Sequence, residues 1–364
     1  MKKIKKIVLT GGPCAGKTTA LVRINDHFSN LGYKVFTVPE VPTMVTASGW
    51  NYMTNNHDFY YEGEKVILEL QLAIEDKVQR MAETLDEPCI IVCDRGAMDI
   101  SAYISPEMWD DLTAGCGTST KELRGERYDA VLHLVSAADG AEQFYTVANN
   151  AQRYEQADEA GLALARELDK KIIQAWTGHH YLRVINNGAN FEHKMNRVLK
   201  EISAVLELPQ PIEEERKYIV EITGELPDCI ETDITQTYLV AEPGCEVRLR
   251  KRVGTNSSSN ILTTRRRLSD TEELVTKRLI PNTLYETMLQ QADPYRRPIV
   301  KKRKSFVWQG QFFELDTYKD PSGLIILETK GIASHDDLRL PPFLRIIEDI
   351  TGSTKYYNYN LALK

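Results

Sequence analysis

IVLTGGPCAGKTT, residues 7–19, reads as a strand that breaks at two glycines and restarts as a helix. It fits GxxxxGK followed by Ser or Thr, with Gly11, Gly16, Lys17 and Thr18 in the defining places. Glycines let a turn wrap its backbone N–H groups around a phosphate, with a helix N-terminus behind them. The whole loop, Gly11, Gly12, Pro13, Cys14, Ala15, Gly16, Lys17, Thr18 and Thr19, is therefore the expected nucleotide-binding segment. Lys17 is expected to reach the β- and γ-phosphates and Thr18 to hold Mg²⁺. A chance glycine turn is the competing reading. The clean strand before the loop and the helical TTALVRINDHFSNLG after it favour the phosphate cradle.

The rhythm continues outward from this loop. Strand-like runs at 33–40, 89–96, 128–135 and 180–187 alternate with helical stretches such as 62–85. Such alternation predicts an α/β unit with a parallel sheet, whose ligands gather at the carboxyl ends of the strands. Glu40, Asp94 and Asn186 fall at such ends. Two carboxylates there can divide the work of metal binding and proton acceptance. Asp94 is assigned to the metal and Glu40 is the candidate base, against a plain helix-cap role beside Pro39 and Pro42. Arg95 fits a phosphate contact or a structural ion pair equally. Arg153, at a loop end before a long helix, is the candidate lid arginine acting on the transferring phosphate. Arg166, further into that helix, fits a solvated face better.

The chain has 364 residues, 42% of them hydrophobic, which is enough for two or three domains. A formal charge of -7 argues against general nucleic-acid binding. The six cysteines form no CxxC pair and fit a reduced, cytoplasmic setting better than a disulfide framework or zinc site. The apolar run in MKKIKKIVLT is too short for a signal peptide, and no run reaches membrane-spanning length, which leaves peripheral contact as the one form of membrane association open.

GGPCAGKTT, the Pro39-Glu40 pair, CDRG, QRYEQADEA and VINNGANFEHK, in this order, resemble the AAA-type P-loop domain. That domain is shared by nicotinamide-riboside kinase-like proteins and the TRPL translocation defect family. The resemblance covers about residues 5–203 and implies binding of ATP or GTP with Mg²⁺. The first domain is placed at 1–205.

ELPQPIEEER, residues 207–216, has the prolines and charge of a linker, and after it the helical rhythm stops. Strand-like segments follow near 215–222, 234–241, 245–252, 261–268, 272–279, 299–307, 310–318 and 323–330, with one helical insert, NTLYETMLQQAD. Eight largely antiparallel strands predict a closed β-barrel over 206–364. Side chains alternate along a strand. Arg248, Arg250 and Arg252 therefore share one face, as do Arg265 with Arg267, Lys301 with Arg303, and Glu314 with Asp316. A solvated outer face is the bland reading. Repetition over most strands favours a charged interior that suits a polyanion.

Glu213, Glu215 and Lys217 in an ExExK array, VRLRKR, Lys301 and Arg303, ELD, and the LET ending with Glu328 resemble the CYTH, or triphosphate-tunnel, superfamily. That resemblance implies basic residues holding a triphosphate chain and acids binding Mg²⁺ or Mn²⁺. This chain departs from the pattern where an acid-rich strand reads TKRLIP, and where the last ExE reads Glu328-Thr329-Lys330. The expectation is a two-domain nucleotide-binding protein, an NTPase or kinase-like phosphotransferase. Its second half would take polyphosphate or a phosphoinositide or phosphatidic acid headgroup. A small-molecule kinase and a tunnel triphosphatase are the alternatives.

Overall fold

The computed structural model describes residues 4–145, 159–187, 190–211, 216–254, 258–269, 272–308, 311–329 and 338–364. The chain divides into two compact units, Met1–Leu199 and Lys200–Lys364.

The first unit contains β1 (Ile4–Gly11), α1 (Lys17–Asn30), β2 (Lys34–Val38), α2 (Val41–Ala47), α3 (His57–Glu83) and β3 (Cys89–Asp94). It continues with α4 (Pro106–Gly115), α5 (Thr120–Gly125), β4 (Ala130–Leu134), α6 (Glu159–Trp176), β5 (Leu182–Ile185) and α7 (Phe191–Val205), in which the division falls. The strands form a five-stranded parallel sheet in the order β2-β3-β1-β4-β5. β3 is buried from Cys89 to Cys93 and β4 over its whole length, as expected for strands covered on both faces. From β1 the chain crosses to one side, and from β3 it returns to the other. The crevice of such a sheet opens at the carboxyl ends of β1 and β3. Local chemistry sets the helix starts. Asn56 accepts the Phe59 N–H at the head of α3, and Ser105 accepts the Met108 N–H ahead of Pro106 in α4.

The second unit contains β6 (Gln210–Pro211), β7 (Arg216–Ile222), β8 (Ile230–Leu239), β9 (Cys245–Gly254), β10 (Ser258–Arg267) and β11 (Glu272–Ile280). After α8 (Asn282–Leu289) come β12 (Ile299–Trp308), β13 (Gln311–Tyr318), β14 (Ile325–Thr329), β15 (Leu344–Asp349) and α9 (Asn358–Leu361). All eight expected strands and the helical insert are present. The sheet order is β15-β7-β14-β13-β12-β8-β9-β10-β11-β6, antiparallel throughout.

This antiparallel sheet is consistent with the expected tunnel or barrel. Among the described residues the ladder does not close on itself: β15 occupies the free edge of β7, and β6 occupies that of β11. Closing a barrel requires those two edges to pair with each other. Alternation within each strand carries no information on that pairing.

The register places the charged residues on one face. Arg250 lies opposite Gln236, Arg303 opposite Asp316, and Glu328 opposite both Glu314 and Lys217. The other face is a core of Tyr218, Val220, Phe306, Phe313, Leu315, Leu327, Phe343 and Leu344.

Candidate functional site

β1 ends at Gly11 with φ 146°, where a Cβ would lie 2.1 Å from the Leu134 carbonyl oxygen. No other residue fits there. Gly16, at φ 89°, is the N-cap of α1, and its left-handed turn aims the helix N-terminus back over the loop. Between them Lys17 folds inward, its Nζ donating to the carbonyl oxygens of Gly11 at 3.1 Å and Gly12 at 3.4 Å. Burial, reinforced by nearby Arg95, pushes the ammonium down to about 8 despite the carboxylates of Glu40, Asp94 and Asp99. The amine is thus held in place by weak acceptors, ready for a stronger one.

Asp94 ends β3 beside Leu9 of β1. Burial pushes its carboxyl up, partly offset by Lys17, and its Oδ1 is buried without a hydrogen-bond partner. A buried carboxylate oxygen with nothing to accept is a cost unless a cation or donor arrives. With Thr18, exposed at the start of α1, it fits the two protein ligands expected for a nucleotide-bound Mg²⁺. Among the described residues no group of three or more His, Cys, Asp or Glu could hold a metal by itself. Phosphate oxygens and water would supply the remaining ligands.

Glu40 is the residue before α2, and the Arg95 guanidinium donates to its Oε1 from Nε at 2.5 Å, while Thr43 donates to Oε2 at 2.9 Å. Burial alone would raise its pKa, but Arg95 and Lys17 outweigh that and hold the carboxyl at about 2. Such a carboxylate is a poor proton acceptor near neutrality. The geometry suits Glu40 to fixing Arg95, itself at φ 71° and anchored by its N–H to the Leu9 carbonyl. Glu40 stays ionised across the neutral range, so a pH–rate profile of turnover is expected to show no limb that depends on it. Comparing Glu40→Gln with wild type from about pH 5 to 8 checks this. An acid limb present in wild type and lost in the variant would restore it as the base.

The other candidates of the first unit lie elsewhere. Asn186 accepts from Arg197 at 3.2 Å. Arg166 is held by the Ala138 carbonyl at 2.6 Å and by Glu142 at 3.2 Å. Arg153 lies outside the described residues. Glu213, Glu215 and Lys330 do so as well.

Several polar residues escaped the sequence reading. Asp99 accepts from Thr10, Gly96 and Trp176 at 2.6, 2.8 and 3.0 Å, and so ties the end of β1 to the turn after β3. Gln71 of α3 donates to the Arg95 carbonyl at 3.4 Å. Lys194 of α7 donates to the Val135 carbonyl and to Asn187, both at 2.7 Å. Burial pushes its ammonium down to about 7. Only the VINNGANFEHK stretch hinted at the last of these.

On the charged face of the second unit, acids and bases are unevenly distributed. Arg303 bridges Glu314 at 2.6 Å, Asp316 at 2.6 Å and Glu328 at 2.9 Å. Lys301 pairs with Asp316, and Lys217 with Glu328 at 3.3 Å. Three acids therefore meet three bases, and each acid already holds a cation. On β9 the balance differs. Arg250 donates to Gln236 Oε1 at 2.9 and 3.2 Å, a neutral acceptor. Burial and the charges of Arg248, Arg303 and Arg252 push it down to about 9. Arg248 pairs with Glu246 at 3.3 Å and Arg265 with Glu273 at 3.3 Å, while Arg267 donates to the Ser269 carbonyl. On β9 it is Arg250 that is withdrawn from water against a neutral acceptor.

Residues 6–194 match the family model described as AAA domain (AAA_28). No curated protein matches the chain. Among solved structures, the inorganic triphosphatase NE1496 is similar over 42% of this chain and 96% of its own, with 25% identity and a TM-score of 0.32. Shikimate kinase from Acinetobacter baumannii, in complex with shikimate, is similar over 56% of this chain and 94% of its own, with 16% identity and a TM-score of 0.33. The PH1819 protein from Pyrococcus horikoshii OT3 is similar over 35% of this chain and 81% of its own, with 16% identity and a TM-score of 0.26.

Proposed function

The chain belongs to the AAA domain family through residues 6–194, and we propose that its first unit binds ATP or GTP with Mg²⁺ and turns it over as an NTPase or kinase-like phosphotransferase. The observation that carries this reading is the meeting, at the ends of adjacent strands, of the inward Lys17 ammonium with the unpartnered, buried Oδ1 of Asp94. A nucleotide phosphate and its metal answer both needs at once. The spacing of the six cysteines, with no CxxC pair, supports the reduced, cytoplasmic setting proposed here. Among the described residues no helix is long and apolar enough to cross a membrane. Incubation with γ-labelled ATP or GTP and Mg²⁺, with and without small alcohol acceptors, separates released phosphate from a labelled acceptor. Absence of both binding and turnover for either nucleotide would overturn the reading.

The second unit is proposed to take a polyphosphate or a phosphorylated headgroup, and the order of the two units suggests the TRPL translocation defect family as the closer affiliation. The ion pairing favours anion binding over metal-dependent triphosphatase chemistry. Glu314, Asp316 and Glu328 would have to give up Arg303, Lys301 and Lys217 before they could hold a divalent ion. Arg250 needs no such release. In full-length Lys17→Ala protein, which silences the first unit, tripolyphosphate affinity is expected to change less than about threefold between Mg²⁺ and EDTA. Arg250→Gln is expected to weaken it about tenfold, the scale of one charge-assisted contact. Rapid Mg²⁺-dependent hydrolysis of tripolyphosphate would restore the triphosphatase.

A further inference from the structure

The phosphate loop is gripped from behind by side chains that no nucleotide would touch. Asp169 of α6 is buried, and a single carboxylate oxygen, Oδ1, accepts the Gly12 N–H at 2.7 Å and the Ser136 N–H at 3.3 Å. The same oxygen lies 3.1 Å from Nε2 of His133, a fully buried residue of β4. Ser136, just after β4, completes the hold from the other side: its Oγ donates to the Pro13 carbonyl at 2.5 Å. A Cβ at Gly12 would meet Asp169 Oδ1 at 2.5 Å, so the loop and the carboxylate are in direct register. Ser136 is itself fixed, because Asn187 donates to its carbonyl at 2.8 Å.

We infer that Asp169, assisted by Ser136, is a positioning residue that preforms the first turn of the phosphate loop and couples it to helix α6. The inference rests on the nucleotide reading of that loop. The physical reason is the geometry of the backbone. Gly12 sits where the chain leaves β1, and its N–H would rotate freely between the crevice and the protein interior unless an interior acceptor claims it. With Gly12 N–H and Pro13 carbonyl both anchored inward, the N–H groups of the following residues are left directed to the crevice. A cradle held this way before ligand arrives spends less binding free energy on ordering. The anchor also sits on α6 one turn beyond Arg166, whose guanidinium reaches Ala138 and Glu142. Displacement of α6 therefore reaches the phosphate loop through one carboxylate.

The test uses full-length Asp169→Ala and Asp169→Asn, with amide exchange of residues 11–16 measured without nucleotide, and then affinity and turnover for Mg·ATP and Mg·GTP. Asp169→Ala is expected to speed exchange of the loop about tenfold or more while β1 and β3 stay protected. It should raise Kd and KM about tenfold with kcat within about threefold, because positioning acts before chemistry. Asp169→Asn keeps an acceptor oxygen and should recover most of both losses, which a simple packing role would not require. Should Asp169→Ala fail to fold, Gly12→Ala, which drives a methyl into Oδ1, is expected to give the same signature. Unchanged loop exchange in a folded Asp169→Ala or Gly12→Ala protein would overturn the inference. So would an equal defect in Asp169→Asn and Asp169→Ala. Wild type that binds no nucleotide, with loop exchange responding as expected, would sink the nucleotide reading and leave Asp169 as the anchor of the loop.

Discussion

Lys17→Ala is expected to weaken ATP and GTP binding about 100-fold or more, roughly 3 kcal/mol, with the fold intact. Among the described residues the lysine's hydrogen bonds go to two loop carbonyls, so little packing depends on it. Its loss falls on the ligand. The direction of its ionisation adds a second signature. With the free-site ammonium pushed down to about 8, the cationic form that phosphate prefers predominates below that pH and fades above it. Wild-type affinity is therefore expected to fall as pH rises through about 8. The fall levels off once pH passes the higher pKa that the bound phosphate imposes. Lys17→Ala should lose that slope as well as the affinity. Calorimetric titration at about pH 7, 8 and 9 checks both. An alanine variant that binds as tightly as wild type would remove the phosphate-cradle assignment.

Asp94→Asn is expected to lower Mg²⁺-dependent turnover about 100- to 1000-fold, corresponding to roughly 3–4 kcal/mol of barrier. The amide keeps the shape but removes the charge. A unit pair at ~4 Å and an effective dielectric of ~20 is worth roughly 4 kcal/mol before screening. The metal carries two charges, so the loss falls mainly on it. Burial already disfavours the Asp94 anion, and the amide should therefore be accepted without loss of stability. Nucleotide binding in EDTA is expected to stay within about threefold of wild type, which separates loss of metal from collapse of the site. Turnover near the wild-type rate in Mg²⁺ would dismiss Asp94 as the metal-side acid. Equal losses of nucleotide binding with and without metal would point instead to a disturbed loop.

The predicted roles of Lys17 and Asp94 came from short-range chemistry, and that kind of information is legible in a sequence. Gly11 and Gly16 announce backbone conformations that side chains cannot share, and a buried apolar run ending in Asp94 announces a strand with its acid at the crevice. Glu40 shows the limit. Its place just after β2 was readable, but not its ion pair with Arg95, 55 residues away, which helps hold the carboxyl at about 2.

The sequence by itself determined the phosphate loop, the parallel α/β pattern, all eight strands of the second half and the one-sided placing of their charges. These follow from local rules: the glycine requirement, the period of a helix and the period of a strand. The tertiary structure alone decided which charges neutralise one another and what holds the loop. Asp169 reaches Gly12 across 157 positions, and Arg303 gathers Glu314 and Asp316 from β13 and Glu328 from β14 beyond it. It also decided that β15 and β6 take the edges of the sheet. Ion pairing and strand pairing depend on distances between segments remote in the chain, and a residue's own neighbours in sequence do not encode those distances.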